Sequence, residues 1–290
     1  MDASQTNVTL RSLVQTARQR LQAHYPAPEA GALADAMCRH LFGYSRTEVV
    51  LYGDRTVPDT AGWDRMLEEL LRDRPLAYIT GETEFCGLRL QVGPDVLIPR
   101  PETEELVDWI LKDNPEGPEP QGLLDIGTGS GCIAVAVAVQ RPAWRVCACD
   151  VMPGALETAR RNAGALHAGV TCLHYDILSD ASFPSADSPF DIIVSNPPYV
   201  TEAQKAEMQP NVLLYEPRTA LFVPDEDPAV FYRHIARFGR SHLKPGGRVY
   251  VEINETLPNL TRQVFLDNGF SDVRLRRDIN GKWRMLRAGL

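Results

Sequence analysis

The sequence predicts a doubly wound, mostly parallel α/β sheet of seven strands, preceded by a small N-terminal helical bundle and a β-hairpin linker. Three observations carry that prediction. From residue 123 onward, short apolar runs alternate with helix-like segments, as in a parallel sheet joined by crossover helices. Residues 8–74 instead repeat apolar side chains every three or four positions, which is one face of a helix. Between them, residues 76–100 hold two short β-like runs flanking Cys86-Gly87. The 290 residues suit two domains better than one, with a bundle over 1–75, a hairpin linker over 76–100 and an α/β domain over 101–290.

In the bundle, Leu10, Leu13, Val14, Ala17 and Leu21 form a first apolar face. Leu33, Met37 and Leu41 form a second, which stops at Gly43. Ser45 followed by Glu48 is a capping-box pattern and starts a third helix. Trp63, Met66, Leu67, Leu70 and Leu71 make a fourth, ahead of Pro75. The bundle contains no cluster of catalytic residue types and reads as a compact adaptor. In the linker, the β-like runs lie around Thr83–Phe85 and Leu88–Val92. "PRPETEELVDWILKD" then opens a helix, with Pro101 in its first turn and Glu102, Glu104 and Glu105 at its positive dipole end. Past a Pro/Gly-rich loop (114–122), strands are expected at "LLDI", "RVCAC", "VTCLHY", "FDIIVS" and "RVYVEI". Two last strands, near Asp272–Arg277 and Lys282–Arg287, give the sheet an antiparallel end.

The formal net charge of −8 is spread as −1 over 1–75, −1 over 76–100 and −6 over 101–290. No segment offers the surplus of cations that gripping a long nucleic acid requires, so stable nucleic-acid binding is not expected. No run of about 18 apolar residues marks a membrane span. The N-terminus has no basic segment followed by an apolar block, so no secretory signal is expected either. The six cysteines, at 38, 86, 132, 147, 149 and 172, include no CxxC pair. They read as small buried hydrophobes in a reducing cytoplasm rather than as a zinc site or disulfides. No metal is expected, and no histidine sits in a motif.

"LLDIGTGSGCIA" places Gly127, Gly129 and Gly131 between an expected strand and an expected helix, more glycine than a turn alone requires. A dinucleotide site wants GxGxxG, whose third glycine would fall at Cys132. Here it falls at Gly131, giving D-x-G-x-G-x-G behind Asp125. That pattern resembles class I methyltransferases, which bind S-adenosylmethionine. It implies that Asp125, Gly127, Thr128, Gly129, Ser130 and Gly131 surround the cofactor's methionine moiety and ribose. Asp150, 23 residues after Gly127 at the end of the second strand, can accept both ribose hydroxyl hydrogens. A helix-capping acid is the plainer alternative. Asp176 and Ile177, ending the third strand, suit an adenine, one as acceptor for the exocyclic amine and the other as an apolar contact; a simple turn aspartate is the alternative there.

The fourth strand ends on Asn196-Pro197-Pro198-Tyr199. The asparagine side chain offers an acceptor and a donor. Each proline fixes φ near about −65° and removes a backbone N–H, so the carbonyls of a rigid turn can face a guest. Tyr199 supplies a flat face. Such a site suits a planar –NH2 group, whose nitrogen is a weak nucleophile because its lone pair is delocalised. The Asn196 side-chain oxygen and the Pro197 carbonyl can accept its two hydrogens, turn the lone pair toward a methyl group and stabilise the developing positive charge. Asn196, Pro197 and Tyr199 are the expected catalytic set, Pro198 joins them in substrate binding, and Asn196 also reaches the cofactor.

The whole chain resembles the peptide chain release factor glutamine methyltransferase family. The matching pieces are "PLAYITGETEF", "VLIPRPETEELV", "LLDIGTGSGCIA", "DIIVSNPPYV", "YEPRTALF" and "LKPGGRVYVEI", in one order from 75 to 253. The resemblance implies a substrate, the side-chain amide of the glutamine in the Gly-Gly-Gln loop of bacterial class I release factors. It implies N5-methylglutamine and S-adenosylhomocysteine as products. It also implies that the helical domain docks the release factor. "IPRPETE" (98–104) either fixes an interdomain hinge or brings Arg100 or Glu102 to the cofactor pocket, and "YEPRTAL" (215–221) is expected to wall the cleft. Two other readings stay open. One is an adenine-N6 DNA or RNA methyltransferase with the same Asn-Pro-Pro-Tyr chemistry, and the other is a cofactor-binding adaptor without catalysis.

Overall fold

The computed structural model describes residues 8–179, 181–184 and 189–290. The first seven residues, part of the stretch read for a secretory signal, lie outside them. The chain forms two compact units. One comprises the chain through Thr80 together with Pro210–Tyr215, and the other comprises Gly81–Gln209 with Glu216–Leu290.

In the first unit, α1 (Leu10–Leu21) begins at Thr9, whose hydroxyl accepts from the Ser12 N–H while Ser12 caps Thr9 in return. Helix α2 (Ala27–Phe42) ends at Gly43, which adopts φ 74°, a left-handed cap that costs glycine little. The predicted capping box starts α3 (Arg46–Tyr52): the Glu48 carboxylate accepts from the Ser45 N–H at 2.8 Å. Helix α4 (Ala61–Leu70) follows, and a short α5 (Leu76–Thr80) lies beyond the four helices expected. Leu10, Ala17, Leu21, Met37, Trp63 and Leu70 are buried together, and Phe42 stacks on Trp63 at 5.7 Å between ring centroids. Full burial of each large side chain contributes about 1.5–3 kcal/mol.

The second unit opens with the hairpin β1 (Glu82–Phe85) and β2 (Leu88–Gln91), paired antiparallel. Its two turn residues, Cys86 and Gly87, both have positive φ, which matches the twist of a tight hairpin. Then come α6 (Pro101–Asp113), β3 (Gly122–Ile126), α7 (Cys132–Gln140), β4 (Arg145–Asp150), α8 (Pro153–Ala165), β5 (Val170–His174) and β6 (Phe190–Ser195). A two-stranded β7 (Val200–Thr201) and β8 (Phe222–Val223) bracket α9 (Pro210–Tyr215), the helix that folds with the first unit. The chain closes with α10 (Val230–His242), β9 (Leu243–Glu252), α11 (Pro258–Asp267), β10 (Arg274–Arg277) and β11 (Trp283–Gly289).

The seven-stranded sheet runs β10-β11-β9-β6-β3-β4-β5. Its five strands from β9 to β5 are parallel, and β11 and β10 add the antiparallel end. Apolar clusters cover both faces, with Leu106, Ile110, Ile133 and Val137 on one and Tyr232, Ile235, Val264 and Phe265 on the other. The chain winds outward from β3 through β4 to β5, then returns to β6 on the other side of β3. That reversal opens a crevice at the carboxyl ends of β3 and β6, where folds of this kind bind ligands.

One asparagine ties the hairpin to this sheet. Asn162 in α8 accepts from the Gln91 N–H at 2.7 Å and donates to the Gln91 and Ser130 carbonyls at 2.9 and 2.8 Å. It is buried, so no water replaces those partners. Asn162→Ala is expected to lower stability by about 3 kcal/mol, read as a lower denaturant midpoint with an unchanged slope.

Candidate active site

The glycine loop turns back on its own sheet. Gly127 and Thr128 donate backbone N–H groups to the Cys149 carbonyl, at 2.9 and 3.0 Å. Beneath them, Asp125 Oδ2 accepts the Thr128 hydroxyl at 2.6 Å and the Ala134 N–H at 3.3 Å. Asp125 Oδ1 is buried and has no hydrogen-bond partner among the described residues. Burial pushes this carboxyl up to about 7; the Thr128 and Ala134 hydrogen bonds oppose the shift, and the Asp150 charge adds to it. Asp150 reaches across from β4, where its Oδ2 accepts from Gly129 N–H and its Oδ1 from Met152 N–H, both at 2.9 Å. Burial raises this carboxyl as well, against those backbone hydrogen bonds.

The three glycines divide their work. Each has positive φ: 69° at Gly127, 56° at Gly129 and 80° at Gly131. A Cβ at Gly127 or Gly129 would meet nothing within 4 Å, whereas at Gly131 it would meet the Ala159 Cβ at 3.0 Å. Gly131 caps α7 and lets α8 approach, and it does not line the cleft. Gly131→Ala is therefore expected to cost about 2–4 kcal/mol in a thermal melt, from backbone strain plus overpacking. Gly129→Ala carries only the backbone part, about 1–2 kcal/mol.

A cleft lies over this loop. Gly127, Thr128, Gly129, Ser130, Asp150, Asp176, Ile177, Asn196, Pro197 and Pro198 all line it, so most of the sequence-predicted residues converge. Asp125 sits below the lining. Asp176 Oδ1 also accepts the Leu178 N–H at 2.9 Å, the turn contact considered as its alternative. Asp150 likewise combines its place in the cleft with a contact to Met152, the residue that precedes α8. Thr219 and Ala220 contribute a wall, as expected for the segment 215–221.

A smaller cavity of about 50 Å³ adjoins the cleft, lined by Arg100, Tyr199, Leu221 and Glu252 among others. Leu97, Asn196, Pro197 and Ala220 line both spaces. Among the described residues, no donor is directed at Asn196 Oδ1 or at the Pro197 carbonyl. Tyr199 lines the smaller cavity and not the main cleft, and its hydroxyl donates to Glu252 Oε1 at 2.8 Å. Burial pushes the Tyr199 phenol well up, and the Glu252 charge pushes it the same way. Arg100 borders this cavity rather than the main cleft, held by the buried Glu216 at 2.5 Å. Glu102 faces a separate surface groove with Glu105 and Arg276.

The chain's sequence is matched by known families. The family model described as "PrmC N-terminal domain" matches residues 12–81, and the one described as "Methyltransferase small domain" matches residues 104–222. A release factor glutamine methyltransferase from Bacteroides thetaiotaomicron is 45% identical over 93% of this chain and 96% of its own length. One from Flavobacterium psychrophilum is 44% identical over 78% of this chain and 79% of its own. The chain belongs to the release factor glutamine methyltransferase family. Its fold is that of class I methyltransferases. A crystallised methyltransferase from Pyrococcus furiosus superposes with a TM-score of 0.51 over 80% of this chain and 98% of that one, at 21% identity, a likeness of fold alone.

In this member of the release factor glutamine methyltransferase family, several cleft residues lie outside the set that the sequence singles out for the site, although Val96, Leu97 and Pro99 belong to the matching piece "VLIPRPETEELV". Asp95, Val96, Leu97 and Pro99 line the cleft from the segment after the hairpin. Tyr175 and Phe231 add aromatic rings to it, although the residue after Asp176 is an isoleucine. Glu252 lies at the end of β9, buried, where burial raises its carboxyl against hydrogen bonds from Thr103 and Tyr199 and the Arg284 charge. Among the described residues, no helix is long and apolar enough to cross a membrane, and no three His, Cys, Asp or Glu side chains cluster as a metal site.

Proposed function

We propose that the protein transfers a methyl group from S-adenosylmethionine to the side-chain amide nitrogen of the glutamine in the Gly-Gly-Gln loop of class I peptide chain release factors. The products are N5-methylglutamine and S-adenosylhomocysteine, and the reaction takes place in the cytoplasm. The observation that carries this reading is the position of Asn196 and Pro197 between the cleft and the small cavity, with no donor among the described residues directed at their acceptor oxygens.

The residues of the larger cleft fit the cofactor. Open space over Gly127 and Gly129 leaves room for a ligand against the backbone, and the unpartnered Asp125 Oδ1 suits a cationic neighbour. Gly127, Thr128, Gly129 and Ser130 would hold the methionine end, Asp150 the ribose, and Asp176 and Ile177 the adenine. When bound, S-adenosylmethionine supplies an electrophilic methyl group on a sulfonium. Asn196 Oδ1 and the Pro197 carbonyl accept the two N–H hydrogens of the substrate amide and turn its lone pair toward the cleft. They would stabilise positive charge on the nitrogen as it takes up the methyl group, whose bonding pair would stay with the departing sulfur. The nitrogen then releases one proton to solvent. Pro198 keeps the turn rigid and Tyr199 walls the cavity.

The first unit is assigned to release factor docking, with residues 76–100 as the linker to the transferase domain. Its exposed apolar side chains support that role: Val50, Leu51 and Leu214 are 70%, 67% and 67% exposed. Purified release factor incubated with the protein and S-adenosylmethionine should gain the mass of one CH2 on its Gly-Gly-Gln peptide. Labelling that survives replacement of the loop glutamine, or methylated adenine formed in an oligonucleotide, would overturn the assignment.

A further inference from the structure

We propose that Thr103 and Glu252 are positioning residues that hold the Asn196 side chain with its carbonyl oxygen turned to the substrate. The inference rests on the amide-methylation reading above and gives it a determinant outside the Asn-Pro-Pro-Tyr turn.

The two ends of an asparagine side chain are nearly alike in shape and opposite in hydrogen bonding. A half-turn about its last bond would present an –NH2 to the substrate –NH2, donor against donor, and the clamp would be lost. The prolines fix the backbone of the turn but have no hold on that rotation. Three elements supply it. Asn196 follows β6, Thr103 lies in the first turn of α6, and Glu252 ends β9, which pairs with β6. The Thr103 hydroxyl donates its only hydrogen to Glu252 Oε2 at 2.6 Å. Its oxygen is then left as an acceptor, and Asn196 Nδ2 donates to it at 3.3 Å.

The direction of this chain is set at Glu252. A carboxylate only accepts, and its second oxygen is taken by the Tyr199 hydroxyl. Hydrogen bonds therefore run from Asn196 to Thr103 to Glu252, and from Tyr199 to Glu252. With that polarity, a flipped Asn196 would set its carbonyl oxygen against the Thr103 oxygen with no hydrogen between them. Thr103 is 1% and Glu252 2% exposed, so water has little access to repair the mismatch. The same carboxylate thus holds the amide clamp and the tyrosine wall of the small cavity.

Thr103→Val keeps the shape and removes the hydroxyl, whereas Thr103→Ser keeps the hydroxyl. Thr103→Val is expected to lower kcat by about 10–100-fold, as supporting-shell losses do, with KM for S-adenosylmethionine little changed, and Thr103→Ser to restore most of it. Glu252→Gln is a second variant. It replaces one acceptor with a donor and is expected to reduce kcat even if Thr103→Val folds poorly. An independent readout is the side-chain –NH2 resonance pair of Asn196 in protein labelled with 15N-asparagine, without substrate. Thr103→Val should move that pair toward the position of an exposed amide, and Thr103→Ser should not. Undiminished kcat in Thr103→Val, equal loss in Thr103→Ser, or an unmoved resonance pair would each overturn the proposal. If the resonance pair moves as expected but wild-type protein methylates no release factor, the positioning stands and the substrate assignment fails.

Discussion

Asn196→Ala is expected to lower kcat by about 10²–10³-fold, the usual effect of deleting one preorganised group from a polar transition-state site. The turn itself should survive, because Pro197 and Pro198 set its backbone and Ser195, buried just before it, still donates its hydroxyl to the Ile126 carbonyl at 2.7 Å. On the proposed mechanism, what disappears is one of two acceptors for the substrate amide. The remaining Pro197 carbonyl can hold one N–H but cannot orient the lone pair. Asn196 is one of many residues lining the cleft proposed for the cofactor, so affinity for S-adenosylhomocysteine, measured by calorimetry, should change little. A loss in kcat with intact cofactor binding is the signature of an interaction made chiefly in the transition state. A variant with full kcat would leave Asn196-Pro197-Pro198-Tyr199 as a turn alone.

The placement of the local motifs was legible in the sequence. Alternating glycines, an acid at the end of each of two strands and the Asn-Pro-Pro-Tyr turn are each recognisable within a few positions, and a parallel sheet brings such strand ends to one edge, where most of them line one cleft. The residues that support them were not legible, because their roles depend on distant partners. Thr103 and Glu252 are 149 positions apart, and Asn162 meets Gln91 across 71. Within "DIGTGSG", nothing marks Gly131 as different from Gly127 and Gly129; the Ala159 side chain of α8 makes it so. The helix Pro210–Tyr215 folds with the first unit although more than a hundred residues of the second precede it. There the Tyr215 hydroxyl donates to the Arg72 carbonyl at 2.7 Å, a contact that neither segment's periodicity reveals.

Asp125 should make stability depend on pH in a direction opposite to most carboxylates. Its folded pKa is raised from the ordinary 3.8 to about 7 because burial disfavours the charge. The neutral form is therefore the one the fold prefers. The contribution of this group is fully present below about 3.8 and is lost as pH rises through about 7. A shift of this size corresponds to roughly 4 kcal/mol, so the ionised carboxylate is a sizeable burden on the ligand-free protein at pH 8. Asp125→Asn removes the titration. The stability of the wild type relative to this variant should fall between pH 4 and pH 8 and level off above, in urea melts at a series of pH values. A difference independent of pH would mean that Asp125 keeps an ordinary pKa. Cofactor binding should act in the reverse sense, since positive charge in the cleft favours the ionised carboxylate and lowers its pKa. Binding near pH 7 should then release a fraction of a proton, visible as a binding enthalpy that changes with the ionisation enthalpy of the buffer. Asp125→Asn should abolish that buffer dependence, because the acceptor waiting beneath the glycine loop no longer has a proton to give up.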